Sequence, residues 1–224
     1  MLVRIEFVQL ALALILLSKW RMFAVRPRFW PANIRANAID IIVSISLLVF
    51  MVDSDSQFAQ LAWTGAYAVW LLVIKPASGP LLVSVQAMTG LLLGLSAIFM
   101  EWGGSALYWL VLSVALTCYL AARHFFDSFD EPYAKLLSYL WAYFAAALTW
   151  ALGHWLLFYG TIAQPTLLLV AIGYGLAALY YLDHHDKLSK LVRIEIVATT
   201  CAIVVAVAIS LAINVASTVR ALLR

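Results

Sequence analysis

Asn33, Asn37, Asp40 and Ser44 recur at i, i+4, i+7 and i+11 in a stretch otherwise rich in Ile, Val and Leu, a spacing that puts all four on one helix face. A carboxylate on such a face can accept a proton, accompany a cation in transit, or pair with a basic neighbour. If the run lies in a membrane, a charged group near its centre costs at least about 2.5–3.5 kcal/mol on insertion scales, so it must face other helices, a cavity or water. Two readings follow. Asp40 either belongs to a solute or proton path, or pairs with an arginine such as Arg35 or Arg123 and locks helix packing.

Weaker polar stripes accompany it. Gln57, Gln60, Thr64 and Tyr67 follow i, i+3, i+7 and i+10; Ser113, Thr117 and His124 share a face; Tyr139, Tyr143, Trp150 and His154 share another. Interhelical hydrogen bonding is their ordinary use. His154 falls within an apolar run, where a side chain of near-neutral pKa could exchange a proton if water reaches it. The path reading therefore rests on Asn37, Asp40, Ser44, Tyr67 and His154.

The densest group of potential ligands lies elsewhere. His124, Asp127, Asp130 and Glu131 form one segment, and Asp183, His184, His185 and Asp186 another. Two aspartate-containing segments could hold Mg²⁺ and a diphosphate, with Arg123, Lys135, Lys187 and Lys190 balancing phosphate charge. His124, Asp127, Asp130, Asp183, His184 and Asp186 are the metal candidates, and a divalent metal is expected only on this enzyme reading. The arrangement resembles the general logic of intramembrane prenyl or phosphoalcohol transferases, whose fuller aspartate signatures are absent here. The spacing matches no closed zinc motif. The alternative is two solvated loops of mixed charge.

The elements that must position these residues are set by composition. Hydrophobic residues make up 66% of the 224-residue chain and charged ones 11%, with a mean hydropathy of +0.99, whereas a soluble domain carries about a quarter charged residues. Apolar runs fall at 2–18, 38–52, 58–74, 81–100, 105–122, 136–159, 166–182 and 191–219. At about 20 residues per crossing they predict an all-α, polytopic transmembrane bundle of about eight spans, a single domain over 1–224. The last run would be about 43 Å long as a helix and must tilt or protrude. The first is expected to be a retained span, because Arg4 is offset by Glu6 and Ser18-Lys19-Trp20-Arg21 stands where a small-residue cleavage site would be.

Charge placement orients this bundle. Lys19, Arg21, Arg26, Arg28, Arg35, Lys75, Arg123, Lys135, Lys187, Lys190 and Arg193 fall on one side, against Arg4, Arg220 and Arg224 on the other. Positive loops stay in the cytoplasm, which puts both termini outside it. The tryptophans cluster near span ends as interface anchors, Trp150 alone sitting deep. The basic loop 19–37 suits a segment against an anionic leaflet. Gly90 and Gly94, flanked by Ala87 and Ala97, mark a close helix approach, while Gly173 and Gly175 could loosen the seventh span. Leu2-Val3-Arg4-Ile5-Glu6-Phe7-Val8 nearly recurs as Leu191-Val192-Arg193-Ile194-Glu195-Ile196-Val197, too short a match to establish a repeat.

Cys118 and Cys201 have no motif spacing and read as packing residues. There is no lysine deep in the last span for a retinal Schiff base, no intramembrane serine–histidine pair and no four-histidine haem set. The scarcity of exposed surface argues against nucleic acid. Membrane lipids are the expected partners, with a homo-oligomer or another membrane protein as further candidates. Without an Asn-x-Ser/Thr site, a prokaryotic plasma membrane is the expected location. The function expected is a transporter or channel for an ion or small solute. The alternatives are a metal-dependent lipid-modifying enzyme or a subunit of a larger membrane complex.

Overall fold

The computed structural model describes residues 7–155, 158–159 and 162–222. Helices account for 83% of the described residues. They are α1 (Val8–Leu17), α2 (Trp30–Ala36), α3 (Ala38–Val52), α4 (Gln57–Val69), α5 (Pro80–Trp102), α6 (Leu107–Asp127), α7 (Ala134–Leu152), α8 (Gln164–His184) and α9 (Lys190–Leu222). A two-residue antiparallel ladder, β1 (Phe158–Tyr159) with β2 (Ile162–Ala163), joins α7 to α8. The Leu2 to Val8 half of the heptapeptide recurrence, with Arg4 and Glu6, lies almost wholly outside the described residues, as does Arg224.

Local chemistry explains where helices start and stop. Ser56 caps α4 by accepting the Ala59 amide at 3.1 Å, which satisfies one of the free first-turn donors. Pro80 and Pro165 occupy the first turns of α5 and α8, where a missing N–H costs nothing. The stretch expected to be one helical face around Asn37 is instead broken: α2 and α3 meet at Asn37 with a bend of 61°. Asn33 thus belongs to a different helix from Asp40 and Ser44.

Each apolar run of the sequence contains a helix, but not all these helices are long and apolar enough to cross a bilayer. Gln57–Ile74, Pro80–Trp102, Leu107–Asp127, Gln164–His184 and Lys190–Ser210 are, and the bent pair Pro27–Ala36 plus Ala38–Val52 makes a sixth. The described part of α1 has ten residues. Helix α7 has 19 but is diluted by Lys135, Ser138, two tyrosines and two tryptophans. Several long apolar helices of this kind are compatible with an integral membrane protein.

The core lies between α3, α5 and α6. Ile39, Val43, Leu47 and Phe50 form one stripe of α3, packed with Leu91, Leu95 and Phe99 of α5 and with Leu110, Val114, Cys118 and Ala121 of α6. Gly94 is essential to this approach: a Cβ there would lie 2.7 Å from Ile42 Cγ2 and 2.9 Å from Thr117 Cγ2, and one at Gly90 would lie 3.0 Å from Ile39. The glycine pair therefore does admit a neighbouring helix, as its spacing predicts. Gly173 and Gly175 do not loosen α8, which runs unbroken through both; they admit Trp141 of α7 and Thr200 of α9. Helices α7, α8 and α9 pack outward in turn on α6, α5 and α8.

Candidate functional site

Asp40 sits in the first turn of α3 and is 6% exposed. Its carboxylate holds three donors from two segments, the residue after α1 and the turn that ends α4. Lys19, just after α1, and Lys75, after α4, both donate to Oδ2, the latter at 2.7 Å. Trp70 Nε1 donates to Oδ1 at 3.0 Å. Burying a carboxylate is tolerable when it is paired and its lone pairs are filled, and here both conditions are met. Burial pushes the Lys19 ammonium below its ordinary value, while the Asp40 carboxylate pulls the other way.

The arrangement depends on an irregular turn. On a regular α-helix, residues five apart lie about 140° apart around the axis, so Trp70 and Lys75 would not reach the same carboxylate. Residues Trp70–Ile74 instead form a π turn, closed by the Lys75 amide donating to the Trp70 carbonyl at 2.8 Å. The wider turn swings Lys75 back toward Trp70, and π turns are frequent at functional sites. Gln86 of α5, itself buried, donates to the carbonyls of Ile74 at 2.7 Å and Ala77 at 2.9 Å. With its amide nitrogen committed there, Gln86 presents Oε1 to His124 Nε2 at 3.0 Å, so that His124 nitrogen carries the proton.

A polar thread leads inward from Asp40. Ser44 Oγ donates to the Asp40 carbonyl at 2.6 Å, and the Tyr67 hydroxyl donates to Ser44 Oγ at 3.2 Å. On the other side, Asn37 Nδ2 donates to the Asn33 carbonyl and Asn33 Nδ2 to the Met22 carbonyl. Beside them opens a cleft of about 610 Å³ lined by Lys19, Arg21, Asn33, Asn37 and Lys75, with Ser18, Trp20 and Met22.

Four of the five expected path residues, Asn37, Asp40, Ser44 and Tyr67, are therefore neighbours. His154 is not among them. Helix α7 ends at Leu152, and His154 lies in the following 3₁₀ turn, exposed, with Nδ1 against the Trp150 carbonyl at 3.1 Å. It stands at the far end of the α6–α7 hairpin from His124, about 28 Å away along a 19-residue helix. Trp150 is exposed, two residues before the end of α7.

The arginines expected beside Asp40 serve another carboxylate. Arg123 contacts Asp127 at 2.7 Å and Arg35 contacts it at 3.8 Å. The true partners, Lys19 and Lys75, read in the sequence as topology charges and Trp70 as an interface anchor, and no motif singles out Gln86. Their signal is depth: all four lie within a turn or two of the same span ends as Asp40.

The second constellation is arranged differently. Asp130 and Asp186 occupy turns with φ of 50° and 53° and, like Asp127, Asp183 and His184, are exposed. His184 packs edge-on to Phe129, His185 Nδ1 faces the Tyr181 carbonyl at 2.8 Å, and the Tyr180 hydroxyl donates to Glu131. Among the described residues no three His, Cys, Asp or Glu side chains converge as a metal ion would require. Of the metal candidates His124, Asp127, Asp130, Asp183, His184 and Asp186, His124 faces Gln86 and Asp127 faces two arginines.

No protein-family model, curated protein or solved structure matches this chain.

Proposed function

We propose that the chain is a multi-pass protein of the cell membrane that moves an ion or small solute, with the Lys19–Asp40–Lys75 cluster as its charged centre. The observation that carries this reading is a buried carboxylate held between two lysines, open on one side to a polar cleft and continued on the other by Ser44 and Tyr67. Intramembrane ionisable groups that pair with one another and border a water-accessible cavity are characteristic of substrate and ion pathways. A cleft mouth, a paired charge and an inward hydrogen-bonded thread are the parts that an entry site would need.

The topology proposed with it has about eight spans and both termini outside the cytoplasm. Supporting it, Arg35, Arg123, Lys19 and Lys75 are tied at one end of the bundle through Asp127, Asp40 and the Gln86–His124 contact, the end that the positive-inside rule assigns to the cytoplasm. A prokaryotic plasma membrane suits this orientation.

The test is flux. Protein reconstituted in liposomes is loaded with a panel of protons, monovalent ions and small organic anions, and compared with Asp40→Asn, Ser44→Ala and Tyr67→Phe variants recovered as monodisperse protein. Flux above empty liposomes that falls in Asp40→Asn and in Tyr67→Phe is the expected result. No flux across the panel, or flux indifferent to all three substitutions, would overturn the reading.

A further inference from the structure

The cleft beside Asp40 has a charge that its own residues do not balance. Its lining carries Lys19, Arg21 and Lys75 and no carboxylate. Asp40, behind it, is shared by two of those lysines, so three cations meet one anion. Arg21 is exposed and makes no ion pair among the described residues. Asn33 and Asn37 add side-chain amides to the same wall. Lys19 is buried against Asp40, so the charge left over is carried by Lys75 and the exposed Arg21, both of which an anion in the cleft can reach.

We propose that this cleft binds a phosphate-bearing anion, whose charge completes the Lys19–Asp40–Lys75 cluster. The inference names a ligand class for the site of the proposed function and in that sense rests on it. Phosphate fits for reasons of number and geometry. It brings one to two negative charges, offsetting half or all of the surplus of two, and several acceptor oxygens that can engage lysine, arginine and amide donors at once. A halide offers a single centre and a carboxylate only two oxygens. The chemistry has two sources, a phospholipid headgroup and free phosphate. The first would seat its acyl chains along the exposed Leu14, Leu16 and Leu17 of α1 and Phe23.

Both sources are separable on the intact protein. The thermal midpoint is measured in phosphate-free maltoside detergent alone, in the same detergent with phosphatidylglycerol added, and in the same detergent with inorganic phosphate added against sodium chloride of equal ionic strength. Binding constants come from the dose dependence of the midpoint. Arg21→Gln, which breaks no described ion pair, is the principal variant, with Lys75→Gln as the second. Stabilisation by phosphatidylglycerol, weakened about tenfold in apparent affinity by Arg21→Gln, would support the headgroup as the source; a charge-assisted bond of ordinary strength accounts for a factor of that size. Stabilisation by inorganic phosphate above the chloride control, with the same loss, would support the free anion. Stabilisation by neither, or binding unchanged in both variants, would overturn the proposal. Liposome flux without anion binding would remove this ligand and keep the transport reading, and anion binding without flux of any solute would do the reverse.

Discussion

The two acidic regions at one end of the bundle, the lone Asp40 and the dense set around Asp127 and Asp183, behave oppositely in space. Around Asp40 a single carboxylate gathers three donors from two separate segments and is removed from solvent. Around Asp127, Asp130, Asp183 and Asp186 there are four carboxylates within two short segments, all exposed, with Asp127 ion-paired to Arg123 and Arg35. Density of ligand-type residues along the chain thus identifies a solvated surface, whereas one carboxylate in an apolar run identifies the cluster. The difference is desolvation: a charge that water can reach needs no partner, and one that water cannot reach must recruit partners from elsewhere in the fold.

The sharpest way to break the comparison is to neutralise one carboxylate from each region. Asp40→Asn leaves Lys19 and Lys75 facing each other without a counter-charge, and loss of one partner of a buried ionic group costs about 3–5 kcal/mol. Asp183→Asn, exposed in the last turn of α8, and Asp186→Asn, exposed in the turn that follows, should stay within about 0.5 kcal/mol of the parent. Chemical denaturation of the purified protein in mild detergent reads all three. Equal losses would mean that the two regions do not differ in burial as described.

Much of the fold is legible in the sequence because apolar runs are a direct report of where the chain avoids water, and every run does contain a helix. The bend at Asn37 is not, since a polar stripe at helical spacing carries no mark of a 61° break. Within the site, Asp40, Ser44 and Tyr67 can be read from periodicity. Lys19, Lys75 and Trp70 cannot, because a basic or aromatic residue at a span end has the same sequence signature whether it anchors in headgroups or turns inward. Only the π turn at Trp70–Ile74 decides that for Lys75, and no residue pattern announces a π turn. His154 misleads for the complementary reason: an apolar run continues past the point where α7 ends.

The supports of the Asp40 cluster should be the next most sensitive positions. Gln86→Leu would leave the Ile74 and Ala77 carbonyls without their side-chain donor and His124 without its acceptor, at a cost of about 1–3 kcal/mol. Gly94→Val would drive methyl groups into Ile42 and Thr117, an overpacking penalty of about 1–3 kcal/mol. By contrast Gly65, where an added Cβ would meet nothing within 4 Å, should accept Ala with a gain of up to about 1 kcal/mol, the helix-propensity difference. These too are read as unfolding midpoints. A Gln86→Leu protein as stable as the parent would mean that the π turn does not depend on α5.

The smallest expected effect bears on the other region. A metal that bound the folded protein alone would stabilise it by RT ln(1 + [L]/Kd), about 2.7 kcal/mol at a hundredfold excess over Kd. The segments after α6 and α8 offer carboxylates and imidazoles, but Asp127 is engaged by Arg123 and Arg35, the His184 ring packs on Phe129, and His185 is turned to the Tyr181 carbonyl. A metal would have to displace these contacts and draw the aspartates of two turns together. Titration with Mg²⁺ and then Zn²⁺ should therefore leave the melting midpoint of the parent within error of its EDTA-treated control. A saturable rise abolished by Asp127→Asn and Asp183→Asn together would show that the two segments close on a cation, and the contrast between a buried charged centre and a solvated acidic rim would have to be redrawn.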